Sequence, residues 1–153
     1  MRSAVCFAVL IVFGVGLFLL RNAQMNEGMS ALKIGHGAVA LEKFTPFAKL
    51  GDSKAQFLIG SMYAYGWGVV KNDEDAIYWF RRAAMFAKDE TDPAAAAALG
   101  VAMSYANGTD GVKVDSVESD KWLRFAAKGG SKEAEAILAK LKKGNESLGS
   151  EMK

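Results

Sequence analysis

The sequence predicts an all-α protein, a short array of stacked helical units behind an N-terminal hydrophobic leader. Three observations carry that expectation. The chain resembles itself when shifted by about 40 residues, a period that marks stacked supersecondary units. Each unit closes one helical pattern on glycines and opens the next on a capping residue. No alternating strand pattern competes with the helical ones. At 153 residues, 51% hydrophobic and 24% charged, the chain has material for one packed domain and none for a large multidomain enzyme.

The leader comes first. Residues 4–20 carry no charge and lie between Arg2 and Arg21. As a helix they would span about 25 Å, the short end of what crosses a bilayer. A cleaved signal peptide is the alternative, but cutting after Ala23 places Arg21 where a small residue is needed, so an uncleaved anchor is expected. Arg2 and the amino terminus on one side are matched by Arg21 and Lys33 on the other, so charge does not choose the topology. Cys6 is the single cysteine and lies in the apolar run, so the rest of the chain can form no internal disulfide. Arg2 and Arg21 also account for the net charge of +2. The remainder is neutral and lacks the basic footprint that nucleic acid demands. The expected division is a leader at 1–24, a helical-repeat domain at 25–145 and a tail at 146–153.

Helices are expected at 28–50 with a break at Pro46, then at 53–66, 73–88, 93–107, 115–128 and 131–143. A shift of 43 aligns Gly68 with Gly111, Val69 with Val112, Trp79 with Trp122, Arg81 with Arg124, and Ala83-Ala84 with Ala126-Ala127. The preceding helices align at a shift of 40, which pairs Ala55 with Ala95, Gly60 with Gly100 and Tyr65 with Tyr105. Three inserted residues near 107–111 then lengthen the second turn. Glycines in those turns supply the positive φ that reverses the chain. Asn72 with Asp75, Asp115 with Glu118 and Ser53 with Gln56 have the spacing of a capping box, and Asp92-Pro93 is a further helix start. Trp79 and Trp122 precede alanine pairs on the same helix faces, so a bulky ring is expected to fill the core where small residues let helices approach.

The ordered set Ala55, Ile59-Gly60, Tyr63, Gly66, Gly68-Val69, Asn72, Asp75-Ala76, Trp79 and Ala83-Ala84 resembles the Sel-one-like repeat family, relatives of the tetratricopeptide repeats. Ala95, Leu99-Gly100, Gly111-Val112, Asp115, Trp122 and Ala126-Ala127 form a second copy. That copy departs from the pattern at Met103, where the family has tyrosine, at Ser119, where it has alanine, and in its longer turn. The two repeats are expected at about 53–88 and 93–130, with a truncated leading repeat at about 38–52 and a capping helix after Gly130. The resemblance implies an α/α superhelix, a short solenoid whose concave side binds another protein, with no chemistry of its own. Members serve as adaptors, assembly factors or immunity partners of toxins, and bacterial ones are often exported and anchored. That implies a domain outside the cytoplasmic membrane, or a periplasmic or secreted one if the leader is cleaved.

The chemical motifs are sparse. Ser30 and Lys33 have the Ser-x-x-Lys spacing of penicillin-recognising enzymes, and a small hydrolase or β-lactam-binding protein built on them is the alternative function. The companion motifs are missing, because Ser119-Asp120 is followed by Lys121 and Lys143-Gly144 has no threonine between. A solvated first helix is therefore expected. His36 alone cannot build a zinc site, and the acidic runs at 73–75 and 89–92 lack the glycine and glutamate of a calcium loop. No metal and no cofactor are expected. A step of 100° per residue puts Phe57, Ser61 and Tyr65 on one face of the first repeat helix, opposite Ala55, Ile59 and Tyr63. The second repeat offers Ala97, Val101 and Tyr105. This aromatic face is either a partner-binding groove or ordinary packing against the next helix.

Overall fold

The computed structural model describes residues 2–85, 94–109 and 111–151, and the side-chain environments of 12, 14–85, 96–109 and 111–144. Among the described residues seven helices follow one another: α1 (Arg2–Lys33), α2 (Gly37–Lys49), α3 (Ser53–Tyr65), α4 (Asp73–Met85), α5 (Ala94–Asn107), α6 (Ser116–Lys128) and α7 (Lys132–Glu151). Each packs on the next, and α3 also touches α5. The odd-numbered helices thus form one layer and the even-numbered ones the other. Among the described residues the only β-type pairing is an isolated bridge, Thr109 with Val112, inside the second glycine turn.

The first break falls elsewhere than expected. Gly35 takes φ 80°, and the chain reverses between Lys33 and Gly37. Pro46 instead lies inside the last turn of α2. An exposed position near a helix end tolerates proline because the carbonyl it deprives of a donor still reaches water. The second half of α1 therefore pairs with α2 as a full hairpin, and the leading unit has both its helices. Where they cross, a Cβ on Gly28 would strike the Phe44 ring, so glycine sets the closeness of approach.

Caps follow the sequence in two of three places. Asp115 accepts from the amides of Val117 and Glu118 at 3.0 Å, and Asn72 accepts from Asp75 at 3.1 Å. At α3 the cap is Asp52, which accepts from the Ala55 amide at 2.8 Å, while Ser53 is the first helical residue. Gln56 is then free to turn inward, where its amide donates to the Ala48 carbonyl at 2.7 Å and ties α3 to α2. The expected cap at Asp92-Pro93 lies outside the described residues.

Three apolar clusters stack along the array. The first joins α1, α2 and α3 around Phe44, Ile59 and Met62. In the second, Phe80 of α4 sits between Gly60 of α3 and Gly100 of α5, whose missing side chains make its slot. The third joins α4 to α7 through alanines and Leu123. Trp79 borders the first cluster, and Trp122 bridges the second and third. Both tryptophans are only partly buried and seal the edges of the core rather than filling it.

The repeat register needs correcting. Gly66 and Gly108 are the left-handed residues that end α3 and α5, at φ 67° and 66°. The Tyr63 carbonyl accepts from the Asn72 amide, and the Tyr105 carbonyl accepts from Asp115, at 3.0 and 2.9 Å. Gly60 lies against Ala76 just as Ala102 accepts a hydrogen bond from Ser119. All three pairs set α3 against α5 with a shift of 42, not 40. Tyr105 is the counterpart of Tyr63, Val101 that of Ile59, and one residue, not three, lengthens the second turn. The family tyrosine assigned to Met103 is therefore present after all, at Tyr105.

Among the described residues no helix is long and apolar enough to cross a membrane. The side chains of 1–11 and 13, most of the expected anchor, lie outside that description.

Candidate functional site

After Gly66 the chain turns back through Trp67 and Gly68, the latter at φ 69°. The Trp67 amide donates to the Met62 carbonyl at 2.9 Å, which holds the residue against the end of α3. Its ring stacks on Tyr65 with centroids 5.0 Å apart. Both rings remain in water, Tyr65 68% and Trp67 49% exposed. A rigid, exposed aromatic pair presents apolar area with little rotamer freedom left to lose, the property that suits a contact surface.

Beside Trp67 a cleft of about 510 Å³ opens between α1 and α3. Met29 and Leu32 of α1 face Leu58 of α3 across it, and Lys33 is the one charged side chain among the described lining residues. The cleft is closed at one end by Gly37 and Gly68, which meet backbone to backbone: a Cβ on either would fall on the other. A turn cannot be brought this near a helix start with any other residue at both positions.

The next unit repeats the arrangement with different chemistry. A second cleft of about 510 Å³ lies at its turn, lined by Ile77, Tyr105, Val112 and Val114 together with Glu74, Lys113 and Asp115. Gly111 presses on Glu74 at the start of α4 as Gly68 presses on Gly37 at the start of α2. The first cleft is apolar and the second is rimmed with charge.

The expected groove residues are not brought together on a surface. Tyr65 is exposed, but Ser61 is 4% exposed and Val101 wholly buried. Phe57 tilts against Phe80 at 5.8 Å, and Tyr105 packs on the same cluster. For the second repeat the reason is the shift in register. Val101 takes the core position of Ile59, and Tyr105 the half-buried position of Tyr63, so the stripe read from spacing faces the neighbouring helix. Of the five residues expected to contact a partner, Tyr65 alone is fully open to one. Trp67, Leu58, Met29 and Leu32 went unread. Trp67 did leave a signal, since a tryptophan between two turn glycines serves no turn geometry.

Ser30 and Lys33 are both exposed, one helical turn apart on α1, and only Lys33 lines the cleft. His36 is exposed in the turn before α2. Among the described residues no group of three or more histidine, cysteine or acidic side chains could hold a metal ion. Perturbed groups lie away from the cleft. The hydrogen bond from Lys43 to Glu27, at 2.7 Å, raises the lysine above its ordinary range. The one from Lys121 lowers the Glu118 carboxyl, while Asp120 raises Arg124.

Stacked helical hairpins joined through glycine turns define an α-solenoid of the helical-repeat class. Residues 53–85 and 93–131 match the model of the Sel1 repeat. The chain thus carries two Sel1 repeats, and proteins built from this repeat generally mediate protein–protein interaction and are typically non-catalytic. It is 30% identical over 105 residues to chitin synthase regulatory factor 4 of Schizosaccharomyces pombe, an alignment covering 68% of this chain and 16% of that protein. The crystal structure of a Sel1 repeat protein from Oxalobacter formigenes superposes with a TM-score of 0.63 at 29% identity, over 78% of this chain and 48% of that one. A protective antigen of uropathogenic Escherichia coli with the same fold gives 0.65 at 21% identity, over 79% and 26%. The chain thus spans about half or less of the proteins it resembles.

Proposed function

We propose that this chain is a membrane-anchored or exported helical-repeat protein that holds another protein as an adaptor, assembly factor or immunity-type binder. The contact surface is the Tyr65–Trp67 pair with the apolar cleft beside it. The observation that carries this reading is the exposure of two stacked rings next to an apolar cavity, an arrangement that costs hydration unless something covers it. Tyr105, at the charged cleft one unit further on, is the second contact.

The anchor rests on α1. Leu17, Phe18, Leu19 and Leu20 are all exposed, and four successive residues at 100° steps sweep every side of a helix. An apolar helix with no covered side and no polar side suits lipid rather than a packed core. The domain then stands outside the cytoplasm, tethered at the membrane, or free in the periplasm or medium if the leader is removed.

Replacing Tyr65 and Trp67 together with alanine tests the contact surface. Partner capture from native membranes should fall by at least about tenfold, the effect of losing one or two aromatic anchors. Melting should stay near that of the parent. Undiminished capture with an intact fold would remove the aromatic pair from the interface.

A further inference from the structure

α1 crosses from the apolar run into the first repeat without a break, and what happens at Arg21 fixes how the solenoid stands on the membrane. Arg21 is the first charged residue after the run, and its Nε donates to Asp52 Oδ2 at 2.6 Å. Asp52 belongs to the turn between α2 and α3. The lengths agree with this contact. The 13 residues of α1 from Arg21 to Lys33 rise about 20 Å, and the 13 residues of α2 return the same distance, so the turn comes back to the level where the run ends. Around that turn stand Leu50, 74% exposed, and the exposed Lys49 and Lys54, while Asp52 is taken up by Arg21. An exposed leucine between two lysines beside an apolar helix is the composition of an interfacial contact, with the leucine among acyl chains and the ammonium groups at anionic headgroups.

We infer that the α2–α3 turn is a second, lipid-contacting foot, so that the solenoid is mounted rigidly on the bilayer. Lys49, Leu50 and Lys54 touch the headgroup layer, and the opposite end, with the turn at Ile34 and the Trp67 cleft, is held about 20 Å above it. The inference rests on the anchor reading and adds an orientation to it.

The test uses the full-length protein with Cys6→Ser, reconstituted in vesicles of mixed phosphatidylglycerol and phosphatidylcholine, with one environment-sensitive fluorophore at Leu50→Cys or at Ile34→Cys. Lipids spin-labelled near the headgroup should quench position 50 severalfold more than position 34. Asp52→Ala, which releases Arg21, should reduce that difference, and replacing phosphatidylglycerol by phosphatidylcholine should weaken it. Equal quenching at both positions, or stronger quenching at 34, in protein that floats with the vesicles would overturn the orientation and leave the anchor standing. Failure to float with the vesicles would overturn both.

Discussion

Gly37 and Gly68 meet backbone to backbone, and that contact holds the Trp67 turn against the start of α2. Gly37→Ala should force the two segments apart at a cost of about 2 kcal/mol, in the range of overpacking substitutions. Gly66→Ala has room for its Cβ and should cost only the ~1 kcal/mol of a left-handed residue. Denaturant midpoints decide this, and equal losses at the two sites would mean that the close approach does not exist. Charge acts at this scale too. The hydrogen bond from Lys121 holds the Glu118 carboxyl below its ordinary pKa. A lowered folded-state pKa means the contribution is complete above the unfolded-state value and fades as pH falls through the folded one. The melting difference between the parent and Glu118→Gln should therefore be steady at neutral pH and vanish in acid. A difference that persists unchanged into acid would show that the pair is not its source.

At the scale of the element, the helices and their turns were legible because glycine at positive φ and an Asn or Asp cap are local devices. Gly66, Gly68, Gly108 and Gly111 all take the left-handed conformations expected of them, and Asn72 and Asp115 cap their helices. What misled was the pairing of α3 with α5. An alanine-rich helix matches its neighbour almost equally well at shifts of 40 and 42, and the carbonyls of Tyr63 and Tyr105 and the left-handed Gly66 and Gly108 choose between them. The second-repeat part of the expected contact stripe inherited that error, so Val101 was placed outside when it belongs inside, whereas Ser61 is buried by the packing of α3 itself. The turn at Gly35 was hidden by Pro46, the louder signal. A pair of substitutions reads the register directly. Val101→Ala, at the position of Ile59, should cost about 2 kcal/mol of buried apolar contact. Met103→Ala, at an exposed position, should stay within ~0.5 kcal/mol. The reverse order in urea unfolding would restore the shift of 40.

Among the described residues the molecule is three helical hairpins and a closing helix, each unit contacting its neighbours, an arrangement that presents a long surface for contact. Two clefts one repeat apart, one apolar beside Trp67 and one charged beside Tyr105, give that surface a direction along the array. A partner that reads both would be specified by the order of apolar and charged contacts, which a domain without net charge cannot achieve by long-range attraction. The central claim is that recognition occurs at the aromatic end of α3. It is tested most directly by placing a photo-crosslinking residue at Tyr65 in the protein expressed in its native cells, and a second at Tyr78, another exposed ring, on α4 in the other layer. Irradiation should join position 65 to one discrete protein, lost on adding Trp67→Ala, and leave position 78 unjoined. Adducts at 78 but not at 65, or the same adducts at both, would contradict it.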